Sequence, residues 1–344
     1  MPRAKDQCFK GQRMTLPIPE DLAAAQAATR VVARETPLLE SESLTRATGA
    51  ARLCIKAESL QRAGSFKLRG AYWRLCALTG EERARGVIAY SSGNFAQGLA
   101  LAGREMGVPV TIVMPEDAPA MKRLATEGFG ARVVLSHHGD RPREEVASAL
   151  AAELAAQGGL TLLHPFDDPR IVAGQGGAAL EAMAQMGCAP DVAVSPVGGG
   201  GLMGGTALAV RAANPLAEIR AAEPAGYDGM GQSLAAGQRV KAAGGVTICD
   251  ALQATMPGVA PFAACQAAGV QGVTVSDAQV AHAMRVAFEE LKLVLEPSGA
   301  VALAAVLAGQ VPVKDKVVLV MASGGNIPFS RFAEIVQDAK GLLQ

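Results

Sequence analysis

The sequence predicts an α/β protein built from two open parallel sheets, with helices on both faces of each sheet. The length of 344 residues exceeds what one ordinary hydrophobic core needs and indicates two domains. Apolar strand segments such as GVIAY, PVTIVMP and ARVVLS alternate with helical segments. Because parallel strands need long crossover connections, usually helices, this alternation is typical of parallel sheets.

The alternation occurs in two blocks, which sets the expected domain organisation. The first block covers about residues 86–163, and the second resumes with the strand DVAVSPV, the helix GLMGGTALAVRAANP and the strand AEIRAAEP. We therefore predict a small α/β domain at residues 86–163 and a larger domain formed by residues 1–85 and 164–344. Ligands of such sheets bind beyond the carboxyl ends of the strands, so the loops at those ends are the candidate sites.

Charge and composition narrow the classes of partner and the cellular location. The formal net charge is zero, so we expect neither nucleic acid nor an anionic membrane as a partner. Six cysteines without a CxxC pair predict reduced thiols in a cytoplasmic protein. The first fifteen residues carry four basic side chains but no apolar segment, which predicts a loose tail rather than a signal peptide.

A lysine in the stretch QRAGSFKLRGA, residues 61–71, is the first candidate for chemistry. Lys67 lies between a Gly-Ser-Phe approach and a Leu-Arg-Gly-Ala exit. Most lysines are solvated surface charges. A buried lysine amine is the alternative, and the local sequence alone leaves both possibilities open.

A second candidate is the loop SSGN, from Ser91 to Asn94, which follows a strand and precedes a helix. The free backbone N–H groups of a helix start favour an anion, and the two serines and the asparagine add donors. Helix capping is the alternative role, but one capping residue would suffice for it.

A third candidate is the glycine run VGGGGLMGG between a predicted strand and a predicted helix. The bare amides from Gly198 to Gly201 can surround a phosphate group at the helix N-terminus. The run also contains the dinucleotide pattern Gly199-x-Gly201-x-x-Gly204, with Glu223 nineteen residues after it in the position of a ribose-binding acid. An NAD-dependent dehydrogenase is therefore a rival interpretation.

The combination of candidates separates these interpretations. The loop SGGN, from Ser323 to Asn326, adds a third set of donors after the strand KVVLVMA. Pyridoxal phosphate with an amino-acid substrate would use a lysine amine, a phosphate-binding loop and a carboxylate-binding loop. A dinucleotide would leave Lys67 and SSGN without a role.

Six motifs, in this order, also carry a family resemblance: GSFKLRGA, SSGNFAQG, HPFDDPRIVAGQG, VGGGGL, EPSGA and SGGN. Over about residues 30–330 the sequence resembles the serine/threonine dehydratase and serine racemase group of pyridoxal-phosphate enzymes, which has the tryptophan-synthase-β-like fold (fold type II). This resemblance implies that Lys67 forms the Schiff base. It also implies a set of cofactor contacts: Phe66 beside the ring, Asn94 on the phenolic oxygen, Gly198, Gly199, Gly200, Gly201 and Leu202 on the phosphate, and Ser323 at the pyridine nitrogen.

The resemblance further implies the reaction and the substrate contacts. The substrate carboxylate would be bound by Ser91, Ser92, Gly93, Asn94 and Phe95, where Phe95 replaces the family's usual histidine. L-threonine, L-serine or a related β-hydroxy amino acid would lose water and then ammonia, which yields a 2-oxo acid. Lys67 would remove the α-proton. A homo-oligomer, either a dimer or a tetramer, is also implied.

Two related activities and a metal site stay open at this stage. Ser92 matches the second base of the racemases, which allows a serine or aspartate racemase, and Arg143 could bind the second carboxylate of hydroxyaspartate. The family's divalent-cation site would use Glu223 and the backbone carbonyl of Tyr227 for Mg²⁺. The third ligand position is Gly229 here, so the match to this site is incomplete.

Overall fold

A computed structural model describes residues 15–342 of the chain. Residues 1–14, which belong to the predicted tail and include Cys8, lie outside the described residues, as do residues 343 and 344. The described part confirms the predicted fold class, with two largely parallel sheets and helices on the faces of each.

The larger sheet has six strands in the order β1-β2-β10-β7-β8-β9. All neighbours in it are parallel except β1 and β2, which pair antiparallel at one edge. Its strands are β1 (Leu38–Glu40), β2 (Arg52–Ala57), β7 (Val192–Pro196), β8 (Glu218–Pro224), β9 (Gln271–Val275) and β10 (Val317–Ala322).

The smaller sheet has four parallel strands in the order β5-β4-β3-β6. These strands are β3 (Val87–Tyr90), β4 (Val110–Pro115), β5 (Arg132–Ser136) and β6 (Thr161–Leu163). In both sheets the order in which successive strands are added reverses at one point, and β3 and β10 lie in the interior of their sheets. The loops after these two strands therefore open where ligands of such folds bind.

Fourteen α-helices in the described residues cover the sheets. They are α1 (Pro19–Thr29), α2 (Glu42–Thr48), α3 (Lys67–Cys76), α4 (Gly80–Arg85), α5 (Asn94–Met106), α6 (Ala120–Gly128), α7 (Arg143–Gly158), α8 (Pro169–Met186), α9 (Gly201–Ala213), α10 (Gly229–Ala236), α11 (Val259–Ala267), α12 (Asp277–Leu291), α13 (Pro297–Leu307) and α14 (Phe329–Gln337).

Alternate side chains of the strands build separate cores on the two faces of each sheet. In the larger sheet, Ile55 and Val194 pack with α12 and α13, while Cys54 and Ala193 pack with α8 and α9. In the smaller sheet, α7 covers one face and α3 with α5 covers the other. This two-sided burial explains why the strands read as nearly continuous apolar runs in the sequence.

Some elements differ from the sequence-based prediction. The sequence predicts a first helix that runs to Glu35, but α1 ends at Thr29 because tertiary hydrogen bonds capture the segment after it. The backbone N–H of Arg34 donates to Gln61, and that of Thr36 donates to Glu181. The β-branched residues that follow Thr29 also have weak helix propensity. Edge strands β1 and β9 are short and partly exposed, and the sequence pattern did not reveal them.

A buried network of four charges joins β2, α3 and α8. Arg69 donates to both carboxylate oxygens of Glu58 at 2.7 and 2.9 Å and also contacts Glu181 at 2.9 Å. Lys56 donates to the same Glu181 at 2.5 Å. Lys56, Glu58 and Arg69 are almost completely buried, and the two positive and two negative charges balance. The network holds the first turn of α3, which begins at Lys67, against the rest of the larger unit.

In the described residues 15–342, no helix is both long enough and apolar enough to cross a membrane.

We expect Arg69→Met to destabilise the protein by about 3–5 kcal/mol, because the substitution leaves the buried carboxylate of Glu58 without its cation. The free energy of unfolding, measured by urea denaturation, tests this. Arg331→Met is the matched control, since Arg331 forms an exposed pair with Glu334 and its loss should cost less than about 1 kcal/mol. Equal stability losses in the two variants would contradict a structural role for the buried network.

Candidate active site

Five loops at the carboxyl ends of strands meet in one region of the molecule. They follow β2, β3, β6, β7 and β10, and they carry Lys67, the SSGN loop, the HPF turn, the glycine run and the SGGN loop. Backbone contacts join the first and the last of these loops directly. The N–H of Phe66 donates to the carbonyl of Ser323 at 3.2 Å, and Ser65 forms an isolated β-bridge with Gly324.

Lys67 is the first residue of α3 and is partly buried. Its amine donates to the backbone carbonyl of Pro165 at 3.2 Å and lies 5.1 and 5.8 Å from the ring centres of Phe66 and Phe95. Burial lowers the pKa of the Lys67 amine to about 8. At neutral pH this amine is therefore unprotonated far more often than that of an exposed lysine, which makes it a better nucleophile and base.

Helix α5 packs tightly against Lys67. A Cβ atom added at Gly98 would lie 3.1 Å from the Cβ of Lys67 and 2.9 Å from the backbone nitrogen of Leu68. Glycine at this position allows the start of α3 and the first turns of α5 to approach closely. The close approach brings the SSGN loop next to the lysine.

The SSGN loop turns directly from β3 into α5. Ser91 donates its backbone N–H to Val113 of the neighbouring strand at 3.1 Å, and its hydroxyl accepts from the N–H of Gly93 at 3.3 Å. Ser92 is partly buried, whereas Asn94 is buried and starts the helix. Because Gly93 provides no side-chain cap, the first N–H groups of α5 are offered to an anion at this end.

The glycine run forms the turn between β7 and α9, and its lack of side chains has a steric reason. A Cβ at Gly198 would lie 3.1 Å from the carbonyl oxygen of Ala251, and one at Gly199 would lie 2.2 Å from the ring of Phe166. Gly200 has a φ of 96°, in the left-handed region, and is the N-cap of α9. Gly201 and Leu202 then form the first turn of this helix. The run thus presents bare amides at a helix N-terminus, which suits a phosphate group.

Ser323 closes the region on the side of the larger sheet. It follows β10 and is 4% exposed, and its backbone holds Phe66 through the hydrogen bond described above. These contacts bring all the predicted cofactor residues into one region. A partly buried amine of lowered pKa, a run of bare glycine amides at a helix N-terminus and a neutral serine fit pyridoxal phosphate as the bound group.

Sequence reasoning assigned no role to two residues of this region, Glu296 and Asn326. The side-chain nitrogen of Asn94 donates to Glu296 at 2.5 Å, and the side-chain oxygen of Asn94 accepts from Asn326 at 2.8 Å. Both residues occur in quoted motifs, EPSGA and SGGN, and this was the only available signal. Their contacts join residues more than two hundred positions apart in the chain, which no local pattern can reveal.

Of the proposed metal ligands, the carboxylate of Glu223 is engaged by backbone groups. Its two oxygens accept from the backbone N–H groups of Met230 and Gly231, both at 2.8 Å. The hydroxyl of Tyr227, which is not the group predicted to bind the metal, donates to Gly245. Burial raises the pKa of Glu223 to about 8. Among residues 15–342, no cluster of three or more His, Cys, Asp or Glu side chains has the arrangement of a metal site.

The same contacts bear on the dinucleotide alternative. Glu223 was the candidate for binding the hydroxyl groups of a ribose, but both of its oxygens already cap the start of α10.

Arg143, the candidate for a second substrate carboxylate, pairs with Asp117 at 3.1 Å on an exposed surface.

Comparisons with known proteins identify the family of this chain. The family model described as "Pyridoxal-phosphate dependent enzyme" matches residues 30–324. L-threonine ammonia-lyase of Thermotoga maritima is 38% identical over 94% of this chain and 79% of its own length. L-threo-3-hydroxyaspartate ammonia-lyase of Saccharomyces cerevisiae is also 38% identical, over 94% of this chain and 97% of its own length.

Solved structures give the same result for the fold. Maize serine racemase superposes with a TM-score of 0.87 at 33% identity and covers 93% of this chain and 97% of its own. The processed form of threonine deaminase isoform 2 from Solanum lycopersicum superposes with a TM-score of 0.84 at 34% identity, over 94% and 95% of the two chains. The family match favours a pyridoxal-phosphate enzyme over a nicotinamide dehydrogenase. The chain therefore belongs to the pyridoxal-phosphate dependent enzyme family, with the fold type II architecture.

Proposed function

We propose that the protein is an ammonia-lyase (dehydratase) that converts L-threonine, L-serine or a related β-hydroxy amino acid to a 2-oxo acid and ammonia. The observation that carries this proposal is the amine of Lys67, whose pKa burial lowers to about 8 and which lies among three donor-rich loops. The names of relatives at 35–38% identity, threonine ammonia-lyases and threonine dehydratases, support the same reaction.

Each loop then has a proposed task toward the cofactor, pyridoxal phosphate. The amides from Gly198 to Leu202 hold the phosphate, Ser323 faces the pyridine nitrogen, Asn94 binds the phenolic oxygen, and Phe66 packs beside the ring. When bound, the cofactor supplies a carbonyl that Lys67 engages covalently and a conjugated ring that withdraws electrons from the substrate α-carbon. A serine at the ring nitrogen is a neutral partner, which suits elimination of a β-substituent.

The remaining steps depend on the residues of the chain itself. The Ser91–Phe95 segment binds the substrate carboxylate at the start of α5 and orients the α-carbon toward Lys67. The amine of Lys67 would accept the α-proton of the substrate. The carbonyl of Pro165, 3.2 Å from this amine, holds it in the site. The β-hydroxyl would then leave as water, with the proton that Lys67 accepted, and hydrolysis of the resulting enamine by one water would release the 2-oxo acid and ammonia.

Racemisation is a second candidate activity, because Ser92 lies in the SSGN loop beside the region of Lys67. A base on the opposite face of the substrate could return the α-proton with inverted stereochemistry. The structural similarity to maize serine racemase favours serine as the substrate of such a racemisation. A solved aspartate racemase at 27% identity makes aspartate a second candidate substrate.

Hydroxyaspartate is a further candidate substrate, because the yeast relative named for it matches this chain over nearly its full length. Arg143 would bind the second carboxylate in exchange for Asp117.

Several broader proposals accompany the activity. We propose a small domain at residues 86–163 and a large, cofactor-binding domain formed by residues 1–85 and 164–344, since the four-stranded sheet spans Val87 to Leu163. A cytoplasmic location, a homo-oligomer and the absence of nucleic-acid and membrane partners stay predictions. Mg²⁺ binding at Glu223 and Tyr227 also stays a prediction, and turnover with and without magnesium tests it.

We expect Lys67→Ala to abolish both the visible Schiff-base absorbance and 2-oxo acid release from L-threonine and L-serine, because it removes the amine that would form the Schiff base. Absorbance spectra and a 2-oxo acid assay of the purified protein measure the two effects. Lys241→Ala, at an exposed lysine, is the matched control and should leave both unchanged. Continued turnover by the Lys67 variant would refute the proposed mechanism.

We expect the cofactor-free protein to react with pyridoxal phosphate at a rate that rises with pH and levels off above about pH 8, because burial lowers the pKa of Lys67 to about 8. Stopped-flow absorbance measures this rate. N-acetyl-lysine methyl amide serves as the reference amine, and its rate should keep rising to about pH 10. A protein rate that follows the reference amine would indicate a solvated lysine.

The hydroxyaspartate candidate predicts that Arg143→Ala lowers kcat/KM for L-threo-3-hydroxyaspartate about tenfold or more and leaves that for L-threonine unchanged, because only the first substrate has a second carboxylate. Steady-state kinetics on both substrates measure this. Arg141→Ala, at an exposed arginine two residues earlier, is the control. Equal effects on the two substrates would remove Arg143 from the site.

A further inference from the structure

The side-chain amide of Asn94 is held from both sides by residues of distant segments. Asn326 donates through its side-chain nitrogen to the backbone carbonyl of Ala63 and to the side-chain oxygen of Asn94, both at 2.8 Å. A backbone carbonyl can only accept, so this contact sets the orientation of the Asn326 amide. The oxygen of Asn94 must then face Asn326, and its nitrogen faces Glu296.

Space for this arrangement is provided by two glycines. A Cβ at Gly64 would lie 2.0 Å from the side-chain oxygen of Asn326, and a Cβ at Gly324 would lie 2.2 Å from Oε1 of Glu296. Any larger residue at either position would displace a partner of Asn94.

Glu296 itself is a buried carboxyl group that is only half satisfied. It is 2% exposed, and its Oε1 accepts from Asn94 at 2.5 Å. Its other oxygen, Oε2, is buried and has no hydrogen-bond partner among the described residues. A buried carboxylate oxygen without a donor is costly, and protonation relieves that cost.

We propose that Glu296 and Asn326 are positioning residues that hold the Asn94 amide so that its one free N–H faces the phenolic oxygen of the bound cofactor, and that the proton on Glu296 tunes the cofactor. The argument is one of donor count. The Asn94 nitrogen has two hydrogens, of which Glu296 takes one, and the Asn94 oxygen is taken by Asn326. This inference rests on the cofactor contact of Asn94 in the proposed function.

The charges around Glu296 support a change of its protonation near neutral pH. Burial and the nearby Asp250 raise the pKa of Glu296 to about 7, against the opposing effects of Asn94 and Lys122. Asp250 begins a short 3₁₀ helix before α11, and Lys122 of α6 forms an ion pair with it. The β10 loop contributes only the uncharged Gly324 and Asn326 to this contact.

The protonation state of Glu296 changes the strength of its hydrogen bond with the Asn94 side chain. Above about pH 7 an anionic Glu296 accepts more strongly from the Asn94 nitrogen and places a negative charge beside the site. Below that pH the neutral acid makes a weaker contact. The absorbance of the bound cofactor should therefore change with pH around 7.

Two substitutions separate positioning from titration. Glu296→Gln keeps an acceptor for Asn94 but cannot titrate, so we expect it to retain cofactor affinity and to lose the absorbance inflection near pH 7. Asn326→Ala removes the orienting contact but keeps the acid, so we expect about a tenfold higher Kd for pyridoxal phosphate with the inflection retained. Glu296→Ala should show both defects. Glu334→Gln, at an exposed glutamate of α14, is the control for the chemical change.

The measurements are spectral titrations of the cofactor-free protein with pyridoxal phosphate and pH titrations of the loaded protein. An inflection that persists in Glu296→Gln, or a wild-type Kd in both Glu296→Ala and Asn326→Ala, overturns the inference. If the wild-type protein binds the cofactor through Lys67 but turns over no β-hydroxy amino acid, the proposed activity fails, and these titrations still decide the roles of Glu296 and Asn326. Absence of Lys67-dependent cofactor binding overturns both.

Discussion

The withdrawal of one amine from water without an acidic partner is the constraint on which the site depends. Two lysines of this chain are withdrawn from water in different environments, one with an acidic partner and one without. Lys56 is fully buried, which lowers the pKa of its amine, but its ion pair with Glu181 opposes that effect inside a network of balanced charges. Lys67 occurs in no ion pair of the described residues, and burial alone lowers its pKa. The first arrangement stabilises the fold, whereas the second leaves an amine of lowered pKa in the candidate site.

The two lysines are mechanically connected. Arg69 lies two residues after Lys67 and anchors α3 to Glu58 and Glu181, the acid that also holds Lys56. The charged network therefore fixes the helix that presents the reactive amine, at a distance from the amine itself. Because the charges of Arg69, Glu58 and Glu181 lie away from the Lys67 amine, they can anchor α3 while the pKa of Lys67 stays low.

The glycines serve the same site by leaving room for a neighbouring backbone or side chain. Gly98 lets α5 contact the start of α3, Gly199 makes room for Phe166, and Gly64 makes room for Asn326. These contacts draw the SSGN loop of the smaller sheet onto the larger one. The Asn94 contacts with Glu296 and Asn326, and the Lys122–Asp250 ion pair, also join segments of the two sheets. A substrate bound between the sheets would therefore lie near residues of both sheets that already interact through hydrogen bonds and an ion pair.

The sequence by itself determined the fold class and the alternation of strands and helices, because these depend on local periodicity, and its short motifs singled out Lys67 as the candidate amine. The glycine run and SSGN could be predicted as candidate anion sites for the same reason, since the strand, loop and helix around each are adjacent in the chain. Only the tertiary structure decided the strand order, the early end of α1, the capping role of Glu223 and the contacts that hold Asn94. Each of these results from contacts between residues far apart in sequence, such as the 202 positions between Asn94 and Glu296. Such contacts are selected by packing and by the need to satisfy buried polar groups, which no short stretch of sequence encodes.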